Sequence, residues 1–308
     1  MNSAGRTKAS VGPEGRTERS NLLASYHNHT TWSDGKASVA EVVARARLLK
    51  LAEVGISDHL TLHPSGQSVS WSMPPDRVDD YVADVRHVAQ RSRTAGGPQV
   101  RLGVEVDWFD EQAETLGRVL DGLALDYVIG SVHFCHGVAI DATAATWQRW
   151  TPDERDAVRR EYWRQIRRLA ESGLVDVMAH LDLVKKFGFG PREPLDDLVD
   201  AALDAIATAG LVVELNTAGW HKPCREPYPA PSILRGCRQR GIPVTLSADA
   251  HDPADLVRDF PAAARLLADA GYDEVARFED RRVRFEPLWS ATGTRSCLTA
   301  PDPQSQAL

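Results

Sequence analysis

The chain has 308 residues and a formal net charge of −7, with 43% hydrophobic and 26% charged residues. These proportions are typical of a soluble globular protein, and the length allows one large α/β domain or two small ones. An acidic chain offers no broad basic surface, so we expect no nucleic-acid partner. No run of about 18 apolar residues is present, so we expect no membrane-spanning helix. The four cysteines form no C-x-x-C pair, so we expect reduced thiols and a cytoplasmic protein.

Both ends of the chain are polar. Residues 1–20 are rich in Gly, Ser and Arg and lack the apolar stretch of a signal peptide. Residues 290–308 have a similar composition. We predict disordered tails in these two segments and a single domain over residues 21–289.

Between the tails, short apolar runs alternate with segments of helical periodicity. The runs are rich in Val, Ile and Leu, as strands covered on both faces are. Seven strand–helix units predict a parallel sheet. Because seven is close to the eight units of a (β/α) barrel, the sheet could close into a barrel; the alternative is an open doubly wound sheet. A last strand-like patch around Val283 has no clear place in this scheme. The predicted strands are 22–27, 52–57, 100–106, 126–132, 174–179, 211–215 and 242–247, and the predicted helices are 37–50, 76–94, 111–122, 153–172, 194–209, 230–240 and 253–270.

Ionisable side chains gather where the predicted strands end, at the barrel face that carries active sites. Each one alone has a simpler explanation: His133 could be a hydrogen-bonded core residue, and Glu105 could pair with Arg101. Together, histidines and carboxylates are ligands of zinc, iron and manganese, and they are too many for one tetrahedral site. We therefore predict two or three divalent ions (Zn, Fe or Mn), an arrangement that serves hydrolysis and phosphoryl transfer. The strand-end groups are His27-Asn-His29, Asp58-His59, Glu105-Val-Asp107, His133, His180, Glu214-Leu-Asn216 and Asp249-Ala-His251.

At this point the sequence resembles the PHP (polymerase and histidinol phosphatase) superfamily, in motif order from about residue 22 to 260. The motifs are His27-Asn-His29-Thr30, Ser57-Asp58-His59, Gly103-x-Glu105, Gly130-Ser-Val-His133, Ala179-His180 and Asp249-x-His251. Three further segments resemble the histidinol-phosphatase branch, namely His180 to Gly188, Glu214 to Pro223, and Pro229 to Leu234. The resemblance implies a distorted, TIM-barrel-like (β/α)7 barrel with a trinuclear metal centre at the C-terminal ends of the strands.

The resemblance also implies a set of ligands. The first metal would take His27, His29, Glu105 and Asp249, and the second would take Glu105, His133 and His180, with Glu105 bridging the two. The third would take His59, His251 and one residue of the loop after His29. Many members of the branch carry histidine in that loop, whereas this chain reads Thr30-Thr-Trp-Ser-Asp34-Gly35, so Asp34 is the candidate. Asp34 could instead be the N-cap of the predicted helix 37–50.

Catalytic and substrate-binding roles follow from the same resemblance. We predict Asp249, Glu105 and His251 as catalytic residues, with Asp249 as the candidate proton donor to the leaving alkoxide. Lys222 and Lys185 are candidates for holding phosphate, and His221 is the other basic residue near Gly219. Lys185 could equally belong to a solvated face. The rest of the substrate needs an acidic or aromatic wall, for which the candidates are Trp71, Trp108, Asp107 and Glu226.

The implied activity is hydrolysis of L-histidinol phosphate to L-histidinol and phosphate, in histidine biosynthesis, so the expected partner is a small phosphate monoester. One alternative is a PHP phosphoesterase that acts on nucleotides or other small phosphate esters, which the Asp34 loop favours. A nuclease or polymerase proofreading module is disfavoured by the net charge of −7. A metal-binding protein without activity is disfavoured by the complete set of ligand positions. The sequence does not indicate an oligomeric state.

Overall fold

A computed structural model describes residues 23–288 and shows a barrel of parallel strands with helices between them. The two predicted tails lie outside the described residues. All seven predicted strands form, and they lie side by side in chain order. The prediction of a distorted (β/α)7 barrel is therefore confirmed. The seven barrel strands are β1 (Ala24–Ser25), β2 (Glu53–Ile56), β4 (Gln99–Asp107), β5 (Tyr127–Ser131), β8 (Val177–Met178), β9 (Val212–Asn216) and β10 (Val244–Ser247), and the short β3 (His59–Leu60) pairs beside β4.

The barrel closes between its first and last strands. The Ala250 amide donates to the carbonyl of His27 at 3.1 Å, and the His29 amide donates to the carbonyl of Ala250 at 2.9 Å. This bridge lies beyond the ends of β1 and β10, where the histidine motifs begin. The second barrel strand is interrupted after Ile56, and β3 resumes it with His59 opposite Glu105 on β4. Closure and interruption therefore both occur at the end of the barrel that carries the predicted ligands.

Helices follow most of the strands and pack on the outside of the barrel. Ser38 caps α1 in a capping box with Glu41, and Thr151 caps α5 in the same way with Glu154. These caps satisfy amides that the first helical turn leaves without intrahelical partners. The helices are α1 (Val39–Leu48), α2 (Val78–Thr94), α3 (Ala113–Asp121), α4 (Ala144–Arg149), α5 (Pro152–Glu171), α6 (Asp196–Ala209), α7 (Pro231–Gln239) and α8 (Phe260–Asp269). No helix within residues 23–288 is both long and apolar enough to cross a membrane.

Two small antiparallel hairpins complete the fold. The first joins β6 (Phe134–Cys135) to β7 (Val138–Ala139), directly after the predicted ligand His133. The second joins β11 (Glu274–Glu279) to β12 (Arg282–Pro287), which contains the strand-like patch at Val283. From this second hairpin, Phe278 packs against Tyr26 and Tyr127 in a small apolar cluster separate from the main core. That cluster includes the start of β5 and lies away from the ligand end of the barrel.

Candidate metal centre

The last side chains of parallel strands lie at the same rim of a barrel. The nine residues predicted as metal ligands lie together on this rim, linked by nitrogen–oxygen distances of 3.9 Å or less. Glu105 comes from within β4, whereas most of the others follow the ends of their strands. The nine are His27, His29, Asp34, His59, Glu105, His133, His180, Asp249 and His251.

Glu105 lies at the centre of the cluster. Its carboxylate oxygens are 3.0 Å from His27 Nε2, 3.0 Å from His59 Nδ1 and 3.1 Å from His180 Nε2, and the residue is 1% exposed. Ser131, at the end of β5, donates its hydroxyl to the same carboxylate. A single carboxylate thus contacts histidines from several strands, as a ligand shared between two ions would.

The donor atoms fall into three overlapping groups, within each of which they lie no more than 4.8 Å apart. Two groups correspond closely to the first and third predicted sites. The group that corresponds to the second site contains His59 in place of His180, although His180 Nε2 lies 3.2 Å from His133 Nε2. The groups are His27, His29 and Asp249; His59, Glu105 and His133; and His29, Asp34, His59 and His251.

Buried carboxylates behind the cluster orient its histidines. His27 Nδ1 lies 2.9 Å from Glu214, and His133 Nδ1 lies 2.8 Å from Asp107. In the neutral imidazole, a donated Nδ1–H at each contact leaves the lone pair of Nε2 available to a metal ion, which is the usual arrangement of metal-binding histidines. The backbone amide of His180 also donates to Glu214, at 2.6 Å. The sequence placed these acids at strand ends but did not indicate this role.

The loop that carries Asp34 is held by another carboxylate. Asp58 accepts the backbone amides of Thr30 at 2.7 Å and Ser33 at 3.1 Å, together with the Ser33 hydroxyl at 2.6 Å. Gly35 lies so close to this turn that a Cβ there would approach the His29 carbonyl carbon to 2.4 Å. The loop therefore has one tightly packed conformation, which presents Asp34 to the histidines.

Asp34 faces the cluster and does not cap helix α1. Its Oδ1 lies 3.2 Å from His251 Nε2, 3.8 Å from His29 Nδ1 and 3.9 Å from His59 Nε2. The N-cap of α1 is Ser38, so the alternative in which Asp34 caps that helix is wrong. The position of Asp34 agrees with the ligand hypothesis.

The pKa values of the cluster show which of its acids are ionised and that His29 is neutral. Burial alone would raise the pKa of Glu105, but the neighbouring His59 and His27 hold that pKa well below its usual range. Burial would likewise raise the pKa of Asp249, but that pKa too is held well below its usual range, chiefly by His27 and by His29, whose Nε2 lies 3.2 Å from the carboxylate. Burial and the nearby His251 and His59 lower the pKa of His29 to about 3. The acids are therefore ionised and His29 is neutral, which are the states in which they bind metal.

Two buried nitrogens of the cluster make no hydrogen bond to any residue that the structure describes. These are His29 Nε2 and His59 Nδ1, and the latter lies only 3.0 Å from Glu105 without the geometry of a hydrogen bond. Buried polar atoms without partners are uncommon and destabilising unless an ion or water satisfies them. Both nitrogens lie within 3.5 Å of the Glu105 carboxylate, and His29 Nε2 also lies 3.2 Å from Asp249. The donor set of nitrogens and carboxylate oxygens therefore fits divalent transition-metal ions.

A cavity of about 380 Å³ opens directly onto this cluster. Lys222 lines it, and the ammonium of this residue forms no ion pair with any residue in the range 23–288. Lys186 lines it too, and its ammonium lies 3.0 Å from the Asp141 carboxylate. Lys222 is therefore a free cation at the mouth of the site, whereas Lys186 is a paired one.

Two of the predicted substrate-binding residues lie outside the cavity lining. Lys185 is held between Asp182, at 2.8 Å, and the carbonyl of Pro227, also at 2.8 Å. His221 Nε2 lies 2.6 Å from Asp259 in a partly exposed pair. Substrate contacts for Lys185 and His221 stay predictions, and the lysine of this segment that faces the cavity is Lys186.

Comparison with known proteins gives matches along most of the chain. A probable histidinol-phosphatase from Deinococcus radiodurans is 35% identical over 265 residues, covering 85% of this chain and 98% of that protein. The histidinol-phosphatase of Bacillus subtilis is 27% identical over 224 residues, covering 66% of this chain and 83% of that protein. A similar fold occurs in the crystal structure of histidinol phosphate phosphatase from Lactococcus lactis, complexed with zinc, L-histidinol and phosphate. The TM-score is 0.70 at 20% identity, with 85% of this chain and 98% of that chain covered.

The sequence profile of the PHP domain matches residues 25–218, which is more than half of the chain. The matched range begins in β1 and extends past β9, so it includes seven of the nine clustered residues. The other two, Asp249 and His251, follow β10, the strand that closes the barrel. The family predicted from the motifs is confirmed, and this chain belongs to the PHP domain family.

Proposed function

We propose that the chain is a metal-dependent phosphatase that hydrolyses L-histidinol phosphate to L-histidinol and phosphate, a step of histidine biosynthesis. The observation that carries this proposal is the clustering of nine candidate ligands, seven of which line one cavity. The same cavity presents the ammonium of Lys222, which has no ion-pair partner in the range 23–288. The curated relatives, one of them 35% identical, are named as histidinol-phosphatases, which supports the choice of substrate.

The resident cofactor in this proposal is a set of two or three divalent ions. His27, His29, Glu105 and Asp249 would hold one ion, and Glu105, His133 and His180 a second. When bound, such ions supply Lewis acidity toward the phosphate and make water a stronger nucleophile at neutral pH. Zinc, iron and manganese all suit this donor set, and zinc is the ion named for the Lactococcus structure. A third ion would be held by Asp34, His59 and His251.

The side chains of the cavity supply the remaining chemistry. Lys222 would pair with a phosphate oxygen, because no carboxylate among residues 23–288 already neutralises its charge. Asp249 is 20% exposed and lines the cavity, so its carboxylate is placed to receive the proton of the attacking water. The same group can then return that proton to the leaving alkoxide, as the predicted donor role requires. Asp249 also adopts the left-handed region, with φ of 50°, a strained conformation that functional sites often contain.

The alternative is a phosphoesterase that acts on nucleotides or other small phosphate esters. The observation in its favour is Asp34, which occupies a loop position where many members of the histidinol-phosphatase branch carry histidine. A panel of histidinol phosphate, AMP, a 3′,5′-bisphosphate nucleotide and a phosphodiester separates the two candidates. Preferred turnover of histidinol phosphate supports the main proposal, and preferred turnover of a nucleotide replaces it.

The dependence on metal is tested by removing and restoring the ions. Strong chelation should abolish turnover of histidinol phosphate, and manganese, zinc or iron should restore it, with the bound metal quantified by elemental analysis. Full turnover by protein shown to be metal-free would refute the proposal.

A further inference from the structure

Trp71 presents an aromatic surface to the cavity above the histidine cluster. It lines the same cavity as Glu105 and His133 and is half-buried. Tyr228 also lines the cavity, but it is 2% exposed and its ring is covered by the Lys185 ammonium, 5.4 Å from the ring centroid. Of these two rings, only Trp71 has surface free for a ligand.

A stack of aromatic rings fixes the orientation of Trp71. Its ring lies 5.5 Å from that of Phe134, with an angle of 20° between the planes. Phe134 in turn contacts Phe109 and His63, each with a centroid distance of 5.3 Å. Because Phe134 directly follows His133, the stack joins Trp71 to the barrel segment that carries a candidate ligand.

The backbone around Trp71 is tied to a second candidate ligand. The Met73 amide and the Ser72 hydroxyl both donate to the carbonyl of His59, each at 3.1 Å. The Ser72 hydroxyl also accepts the Thr61 amide at 2.9 Å. Hydrogen bonds therefore hold the residues after Trp71 against β3, and this fixes the position of the indole above the cluster.

The indole N–H of Trp71 has no acceptor among residues 23–288. Three of the described indoles do donate: Trp32 to Asp84, Trp108 to Asp110 and Trp147 to the carbonyl of Ile140, at 2.6 to 3.0 Å. The indoles of Trp150, Trp163 and Trp220 resemble Trp71 in having no acceptor among these residues, but they do not line the cavity. A half-buried indole that faces a cavity with a free N–H offers both a stacking face and a hydrogen-bond donor to a bound ring.

We infer that Trp71 determines specificity by stacking on the heteroaromatic ring of the substrate while the phosphate occupies the metal centre. This inference rests on the proposed function, because the imidazole of histidinol phosphate is the ring in question. A planar ring stacks on the indole face, and a protonated imidazole adds a cation–π attraction. The inference adds a role for an aromatic residue that binds neither metal nor phosphate.

The test compares two substrates that differ only in the ring. Alaninol phosphate (2-amino-1-propanol phosphate) keeps the amine and the phosphate of histidinol phosphate but lacks the imidazole. In Trp71→Ala, kcat/KM for histidinol phosphate should fall about tenfold or more, with a much smaller change for alaninol phosphate, so the ratio of the two values drops. Trp71→Phe should recover most of the ratio, whereas Trp71→Leu, which fills the space without a π face, should not.

Calorimetry provides a second readout that does not depend on turnover. L-histidinol should bind wild-type protein more tightly than L-alaninol does, and Trp71→Leu should remove most of this difference. Trp150→Ala is the matched control, because it deletes a half-buried indole that packs on Trp147 and does not line the cavity. It should leave the substrate ratio unchanged at equal metal content.

The possible failures are distinguishable. If wild-type protein does not hydrolyse histidinol phosphate, the proposed function is wrong and this inference falls with it. If wild-type protein does so, but Trp71→Ala and Trp71→Leu lower kcat/KM equally for both substrates or for neither, the stacking role is overturned and the proposed function stands.

Discussion

Glu105 lies within 3.7 Å of ring nitrogens from five buried histidines. We expect Glu105→Gln to lower kcat about a thousandfold or more and to reduce the bound metal, because a neutral amide is a poor ligand for two ions at once. Steady-state kinetics and elemental analysis on the same preparation check this. A tenfold or smaller loss of kcat with unchanged metal content would exclude the bridging role.

A matched control for Glu105 exists at the other end of the barrel. Glu53 is also buried, and it accepts the Tyr26 hydroxyl at 2.6 Å and pairs with Arg101 at 3.2 Å. Glu53→Gln breaks a buried ion pair, so it should lower the free energy of unfolding by roughly 3–5 kcal/mol. The folded fraction should keep its metal content and its kcat, which separates loss of a buried charge from loss of a ligand.

Variants of Asp34 and Ser38, which lie in one short segment, separate the loss of a metal ligand from the loss of a helix cap. Asp34→Ala should lower the bound metal from three ions per chain toward two, and Asp34→His should retain the third ion, since imidazole suits the same metals. Ser38→Ala removes the true cap of α1 and should cost about 1 kcal/mol of stability without changing metal content. Three ions still bound to Asp34→Ala would show that Asp34 is not a ligand.

The candidate ligands could be predicted because their residue types are rare at strand ends and parallel strands end on one rim. The supporting acids show no such signal. Nothing in the spacing of Glu214, Asp107 and Asp58 indicates that the first two orient histidines and the third holds a loop. These contacts depend on side-chain directions across neighbouring strands. The same limit applies to Lys185 and its neighbour Lys186: adjacent residues in a turn face different ways, and Lys186 is the one that lines the cavity.

At the scale of elements, the strands were predictable because each is a short apolar run covered on both faces. The hairpin of β11 and β12 was not, because its place depends on contacts far apart in the sequence. Phe278 fits between Tyr26 and Tyr127, and Arg284 pairs with Glu53 at the start of β2. A patch of alternating apolar and polar residues predicts a strand but does not indicate which part of the barrel that strand packs against.

The hairpin offers a test of its contribution to stability. Phe278 is fully buried, so Phe278→Ala should lower the free energy of unfolding by about 3–5 kcal/mol. Phe285 on the paired strand is 47% exposed, and Phe285→Ala should cost less than about 1 kcal/mol. Denaturant unfolding of metal-loaded protein measures both values. Equal losses for the two variants would mean that the hairpin does not pack against the barrel through Phe278.

At the scale of the whole molecule, charge is distributed unevenly. The chain carries a net charge of −7, yet several histidines of the metal-free site hold protons tightly. Burial opposes the protonation of His133, but the adjacent Asp107 raises its pKa to about 10. Burial likewise opposes that of His251, and Asp34 raises its pKa to about 9. These protons offset part of the carboxylate charge until metal ions take their place.

This exchange predicts that metal binding releases protons. Both pKa values lie above the usual 6.5 of histidine, so their contribution to the stability of the metal-free protein is full below about pH 6.5 and is lost as the pH rises through 9 to 10. Metal requires neutral imidazoles, so metal affinity should rise over the same interval. At pH 7.5 we expect about two protons or more to be released per chain as the site fills.

Calorimetric titration of metal into metal-free protein, in buffers of different ionisation enthalpy, counts these protons directly. His133→Gln should release about one proton fewer, because the substituted side chain cannot hold one. His87→Gln is the control, since His87 is an exposed residue of α2 and its loss should leave the count unchanged. The count should also shrink as the pH rises through 9 and 10, because the histidines of the metal-free site then lose their protons without metal. A release of zero protons at pH 7.5 would mean that the metal-free cluster is neutral, and the charge exchange described here would be wrong.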